Sequence, residues 1–146
     1  MTHSQDLWKK MPFLAIAGGA AFWLSNFAIS RTPMAAEYRS ALSISYNPML
    51  MESLVGGLII GLMVSYGLLH YYERIPLPTP VRKSVLLSLV VLIAATLLLQ
   101  APASFFAETG HTLRIFFMGT LFNAIRIPAL GWMIGYAYDK VYGGAR

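Results

Sequence analysis

Residues 85–99 read Val-Leu-Leu-Ser-Leu-Val-Val-Leu-Ile-Ala-Ala-Thr-Leu-Leu-Leu, with no charge, glycine or proline in the run. A strand seldom exceeds about 10 residues, so a helix is the reading that fits this length. At about 1.5 Å per residue the run covers roughly 22 Å, and with its flanks, residues 84–101, it approaches the hydrocarbon thickness of a bilayer. Its one polar line is Ser84, Ser88, Thr96 and Gln100, spaced by multiples of four. Such a helix is expected to turn most of its girth to lipid and one narrow edge to its neighbours.

Three further apolar stretches flank it, over residues 11–30, 49–71 and 112–138. Each is long enough for a transmembrane helix. The fold class is therefore all-α: a polytopic integral membrane protein with four transmembrane helices in a small bundle, one membrane domain across residues 1–146. Composition agrees. Of 146 residues, 57% are hydrophobic and 12% charged, where a soluble domain carries about 25% charged residues. That scarcity excludes a soluble monomer, and the apolar content excludes disorder and collagen-like fibres. The chain has no cysteine, which removes disulfide frameworks and thiolate metal sites.

Helix starts are marked by a capping residue followed by proline: Thr79-Pro80 before the third span, Asn47-Pro48 before the second, and Thr32-Pro33 in the loop after the first. The last pair leaves two readings for residues 34–44, a short interfacial helix or a packed loop. As a helix, its apolar side would be Ala35, Tyr38, Ala41 and Leu42. Pro102 is expected to end the third span. The connection Ile75-Pro-Leu-Pro-Thr-Pro80 is expected to be a stiff, extended spacer.

Orientation follows from basic residues in short loops. One side of a four-span chain carries Lys9, Lys10, Arg74, Arg82, Lys83, Lys140 and Arg146; the other carries Arg31, Arg39 and Arg114. Seven against three favours both termini in the cytoplasm, facing anionic lipid headgroups. Trp8, Tyr71, Tyr72, Tyr136, Tyr138 and Tyr142 gather at the same ends, as an aromatic belt would. The net charge of +5 is accounted for by these loops, and nucleic acid is not an expected partner. Lys9-Lys10, the apolar run and Ala28-Ile-Ser30 resemble a secretory signal with a cleavage site; the segment is read as a retained first span.

Small residues line several spans at i+4 spacing: Ser53, Gly57, Gly61 and Ser65 in the second; Gly119, Gly131 and Gly135, with Asn123, in the fourth; Ala15 and Gly19 in the first. They call for close helix packing, within the chain or between copies.

Arg126 breaks the charge pattern. Of 11 basic residues, ten lie in loops or at span ends, whereas Arg126 stands roughly 18–21 Å from either end of the fourth span. Asn123 lies one turn earlier on the same face, and Pro128 follows two residues later. The cluster suggests a polar, interrupted helix near mid-membrane, a form common in transporter sites. The competing view is a structural tie to a carboxylate or to carbonyls freed by Pro128. Glu52 is the nearest carboxylate in the spans, offset by roughly 10–15 Å along the helices; its simpler role is to complement the positive start of its own helix. His70 stands among Tyr66, Tyr71, Tyr72 and Glu73 at the membrane boundary, an interfacial residue or, by its titration range, a proton-handling one.

The candidate binding residues are thus Arg126, Asn123, Glu52 and His70. No enzyme motif, cofactor signature or metal-ligand spacing is present. The functional readings, in order, are a non-enzymatic structural or accessory subunit assembling as a homo-oligomer or with a partner membrane subunit; an oligomeric transporter or channel for an anionic or polar solute; and a lipid-modifying membrane enzyme.

Overall fold

Two threonine–proline pairs start helices as their chemistry dictates. The Thr32 hydroxyl accepts the Ala35 N–H at 3.2 Å, and the Thr79 hydroxyl accepts the Arg82 N–H at 3.3 Å, each with proline next in sequence. The Asn47-Pro48 pair departs from expectation: the helix begins at Tyr46, Ser45 flanks it, and Asn47 and Pro48 lie inside the first turn. First-turn N–H groups have no intrahelical acceptor, so proline is tolerated there too.

The computed structural model describes residues 3–106 and 110–143; Arg146 lies outside them. The elements are α1 (His3–Ser30), α2 (Pro33–Ala41), α3 (Tyr46–Tyr71), α4 (Pro80–Ala95), a π-helical turn (Thr96–Gln100), α5 (Ala101–Phe106) and α6 (Thr112–Tyr142). Four stretches are long and apolar enough to cross a membrane: Gln5–Ser30, Tyr46–Tyr71, Pro80–Phe106 and Thr112–Tyr142. The protein is an all-α bundle of the integral-membrane kind. Its helices overrun the boundaries at residues 11, 49, 84, 101 and 138, because backbone hydrogen bonding continues past the point where the side chains turn polar. Residues 33–41 form the helical alternative of the two readings for the first loop. Ala35 is buried, with Tyr38, Ala41 and Leu42 packed in the same cluster.

Pro102 does not end the third span. Proline has no N–H to give the carbonyl four residues back and crowds that carbonyl. The chain absorbs this by widening: the Ala101 N–H bonds the Thr96 carbonyl, five residues back, and α5 then continues to Phe106. The proline-rich connection is not wholly extended either. The Leu77 N–H bonds the Ile75 carbonyl at 2.9 Å, a tight three-residue turn around Pro76.

α1 packs along α3 on one side and α6 on the other, α4 packs along α6, and α3 touches α4 more lightly. Lys10 lies 4.8 Å over the Tyr142 ring, so the start of α1 and the end of α6 share one end of the bundle. We call this the terminal end and the opposite one the α2 end. The small residues fill these seams. A Cβ on Gly61 would stand 2.7 Å from the Ala15 carbonyl oxygen, and one on Gly135 2.8 Å from the Val81 nitrogen, so only glycine allows these backbones to approach. The Ser84 hydroxyl donates to the Gly131 carbonyl across the α4–α6 seam. Ser84 and Ser88 are fully buried, while Ile93, Leu97 and Leu98 on the same span are exposed. This is the lipid-facing helix with one polar edge that residues 85–99 imply.

Candidate functional site

α6 runs unbroken from Thr112 to Tyr142 through Pro128, which corrects the expectation of an interrupted helix. Ile127, the residue that Pro128 would push from helical geometry, is 1% exposed in the core with Leu130 and Ile134. That packing outweighs the cost of about 3 kcal/mol that an interior proline carries.

Arg126 is partly buried on this continuous helix. Its guanidinium donates to Asn26 Oδ1 at 2.5 Å and to Asn123 Oδ1, and it lies 5.0 Å over the Phe22 ring. Both hydrogen-bond partners are neutral amides. The contacts around it fix its depth. Along the α1–α6 seam Gly18 meets Ile134 and Asn26 meets Arg126. Along α1–α3, Ala15 meets Gly61, Trp23 Nε1 donates to the Leu50 carbonyl and Ser30 meets Tyr46. Arg126, Asn26 and the first turns of α3 therefore lie at one level, about a turn below the α2 end of α1. Arg126 is remote from the ends of its own helix only because α6 extends beyond α1 at this end, where α2 covers it: Tyr38 packs edge-on against Phe122 at 5.5 Å.

Glu52 is thus near the depth of Arg126 but on another face. It is exposed and forms no ion pair among the described residues; the offset is smaller than helix counting implied, and of the two roles weighed for Glu52 the direct pair with Arg126 is not formed. The described ion pair at this end joins Arg114 to Glu37 at 3.0 Å. His70 lies far from Arg126, at the terminal end. It stacks on Tyr66 at 5.3 Å and borders, with Asp6, Lys10, Glu73 and Tyr138, a cavity of about 320 Å³. Of the four sequence candidates, Arg126 and Asn123 come together; Glu52 and His70 do not join them.

Under α2 lies a second cavity of about 60 Å³, with Asn26, Ser30, Tyr38, Arg39 and Arg126 as its polar wall. Two donors here are buried without a partner: Asn26 Nδ2 and Arg126 Nε. Asn26 is 4% exposed. Leaving such groups unpaired costs about 1–3 kcal/mol each, more when charged. α2 is fastened over the cavity by Gln100 Nε2, which donates to the Tyr38 hydroxyl at 3.3 Å and to Ser104 Oγ at 3.0 Å. Gln100 leaves the π turn against Gly119, so the widened turn at Pro102 helps hold this lid.

Sequence reasoning missed Asn26, although a lone amide inside an apolar span is itself a signal. It also took Lys83 for a loop charge, yet Lys83 is 7% exposed. Its ammonium donates to the Tyr72 carbonyl at 2.5 Å and sits 3.8 Å over the Tyr72 ring. The Thr79-Pro80 start was the available sign, since it places Lys83 one turn inside α4. Among the described residues no three His, Cys, Asp or Glu side chains stand close enough to hold a metal ion. Comparison with protein-family models, with curated proteins and with solved structures finds no match.

Proposed function

We propose that this is a non-enzymatic membrane protein that captures an anionic group in the Arg126 cradle, beneath α2. One observation carries the reading: a guanidinium set among neutral amides in the wall of a small cavity, with Asn26 Nδ2 and Arg126 Nε buried and unpartnered. Buried charges are ordinarily paired. Among the described residues the cradle holds oxygen dipoles but no counter-charge, the condition in which a bound anion completes the site. Glu37, the nearest acid on α2, is engaged by Arg114.

Recognition fits better than passage through the bundle. Between the cradle and the terminal end, Leu14, Ile127, Leu130, Ile134, Val64 and Leu68 are at most 1% exposed, and this packed apolar column offers an ion no polar path. Assembly through small-residue faces has less to rest on, because those faces are filled from within the chain. The basic loop residues favour the terminal end in the cytoplasm, so the cradle would open toward the opposite compartment.

The test is an anion panel. Protein in zwitterionic-lipid nanodiscs is heated with and without phosphatidic acid, phosphatidylserine or inorganic phosphate. A ligand at a hundred times its dissociation constant should add about 2.7 kcal/mol to stability, with Arg126→Met losing the response. Asn26→Asp supplies the missing carboxylate internally and should also lose it. Wild-type stability unchanged across the panel, or a response retained in both variants, overturns the reading.

A further inference from the structure

The same small cavity is walled by a second guanidinium, Arg39 of α2. Resting on the anion-capture reading above, we infer that Arg39 and Arg126 form a two-armed clamp for a phosphate group. The two arms have different mounts. Arg126 is set in α6, which packs along both α1 and α4, whereas Arg39 rides on the nine-residue α2. Arg39 is held at the rim by one donated bond, from Nη1 to the Ser30 carbonyl at 3.3 Å, and lies 5.1 Å over the Tyr46 ring. A guanidinium carries five N–H donors, so most of its fork remains free for a ligand.

The geometry points to phosphate rather than carboxylate. A carboxylate is planar and one guanidinium fork satisfies its two oxygens. The polar side chains lining this cavity come instead from three directions: Arg126 on α6, Asn26 on α1, and Arg39 with Tyr38 on α2. A tetrahedral phosphate presents oxygens to all three, and its charge of about −1.5 to −2 as a monoester offsets two guanidinium charges that no carboxylate among the described lining residues offsets. A cavity of about 60 Å³ holds a head of this scale and nothing much larger. The phosphate can belong to a lipid headgroup or be free in solution; the chemistry of the clamp is the same.

The experiment measures binding to the full chain in zwitterionic-lipid nanodiscs, by thermal stabilisation and phosphorus NMR line broadening. The two probes are inorganic phosphate and phosphatidic acid mixed into the disc. A response to phosphatidic acid alone assigns a lipid headgroup, and a response to inorganic phosphate as well assigns the free anion; either supports the clamp. Arg39→Gln should weaken binding about ten- to a hundredfold, the worth of hydrogen bonds to a charged group. Arg39→Lys keeps the charge but loses the fork, so it should fall between wild type and Arg39→Gln. If Arg126→Met abolishes binding while both Arg39 variants bind phosphate as wild type does, the clamp is overturned and the single-arginine cradle survives. If neither probe binds wild type but phosphatidylserine does, through its carboxylate, the phosphate assignment fails alone. If nothing binds, both readings fall.

Discussion

The two ends of this bundle solve the problem of polar groups in lipid in opposite ways. Along the seams toward the terminal end, Gly61, Gly131 and Gly135 bring backbones together, and Ser84 and Ser88 hand their hydroxyl protons to carbonyls. At the α2 end the chain keeps a guanidinium on amide oxygens and leaves Asn26 Nδ2 and Arg126 Nε without partners. The first arrangement gains from packing and is closed except at the Ser65 hydroxyl, which is buried without a partner. The second leaves donors unpartnered around a buried charge, and a fold that retained it for stability alone would do better with apolar side chains of similar volume.

The largest effect should come from forcing the closed seam apart. Gly61→Leu would drive a branched side chain into the Ala15 backbone, where helix separation is the only relief. Overpacking of this kind costs about 3 kcal/mol or more, so we expect little folded protein after mild detergent extraction. Gly56→Leu is the control, since nothing lies within 4 Å of a Cβ there; its stability should stay within about 0.5 kcal/mol of wild type. Equal behaviour of the two variants in thermal unfolding would erase the contrast. Gly131→Ala is a gentler probe of the α4–α6 seam. Its methyl would meet the Ser84 carbonyl at 2.9 Å as well as the Ser88 side chain, for a loss of about 1–3 kcal/mol read as a lowered unfolding midpoint.

Arg126→Met tests the other end, where a smaller loss is expected. Removing the charge relieves its burial but leaves Asn26 Oδ1 without its donor, a cost of about 1–3 kcal/mol. The two offset in part, so stability should fall well short of the Gly61→Leu loss while the anion response disappears. A collapse in unfolding midpoint comparable with Gly61→Leu would make Arg126 a structural tie and remove the distinction between the ends.

How legible each end was follows from the kind of signal it uses. The seams were readable because packing in lipid leaves a periodic trace: glycine and serine every fourth residue, and the polar line of Ser84 and Ser88 on an otherwise apolar helix. Arg126 was conspicuous for the same reason, as a charge where the pattern has none. What sequence could not supply was registration between helices. Counting residues from the ends of the fourth span put Arg126 at mid-membrane, because α6 was assumed level with its neighbours; the overhang of α6 beneath α2 is a tertiary fact. Arg39 looked like an ordinary loop charge until Thr32-Pro33 began a helix and folded it back over α1. Pro102 and Pro128 misled in a shared way. Local chemistry predicts a break at each, but a π turn absorbed the first and the Ile127 core the second.

The smallest effect concerns Glu52, and it sharpens the comparison because it tests what the α2 end lacks. Had Glu52 neutralised Arg126, neither residue could change without exposing the other, and their substitutions would couple. The structure instead leaves Glu52 exposed on α3 while Arg126 turns to Asn26 on α1. Residues without contact or shared partners add to within about 0.3–0.5 kcal/mol. Glu52→Gln should therefore shift stability by no more than about 0.5 kcal/mol, leave the anion response at wild-type strength, and combine additively with Arg126→Gln in a double-mutant cycle. A coupling of about 1 kcal/mol or more would mean that Glu52 supplies the counter-charge after all, and the cradle would then be complete without a ligand.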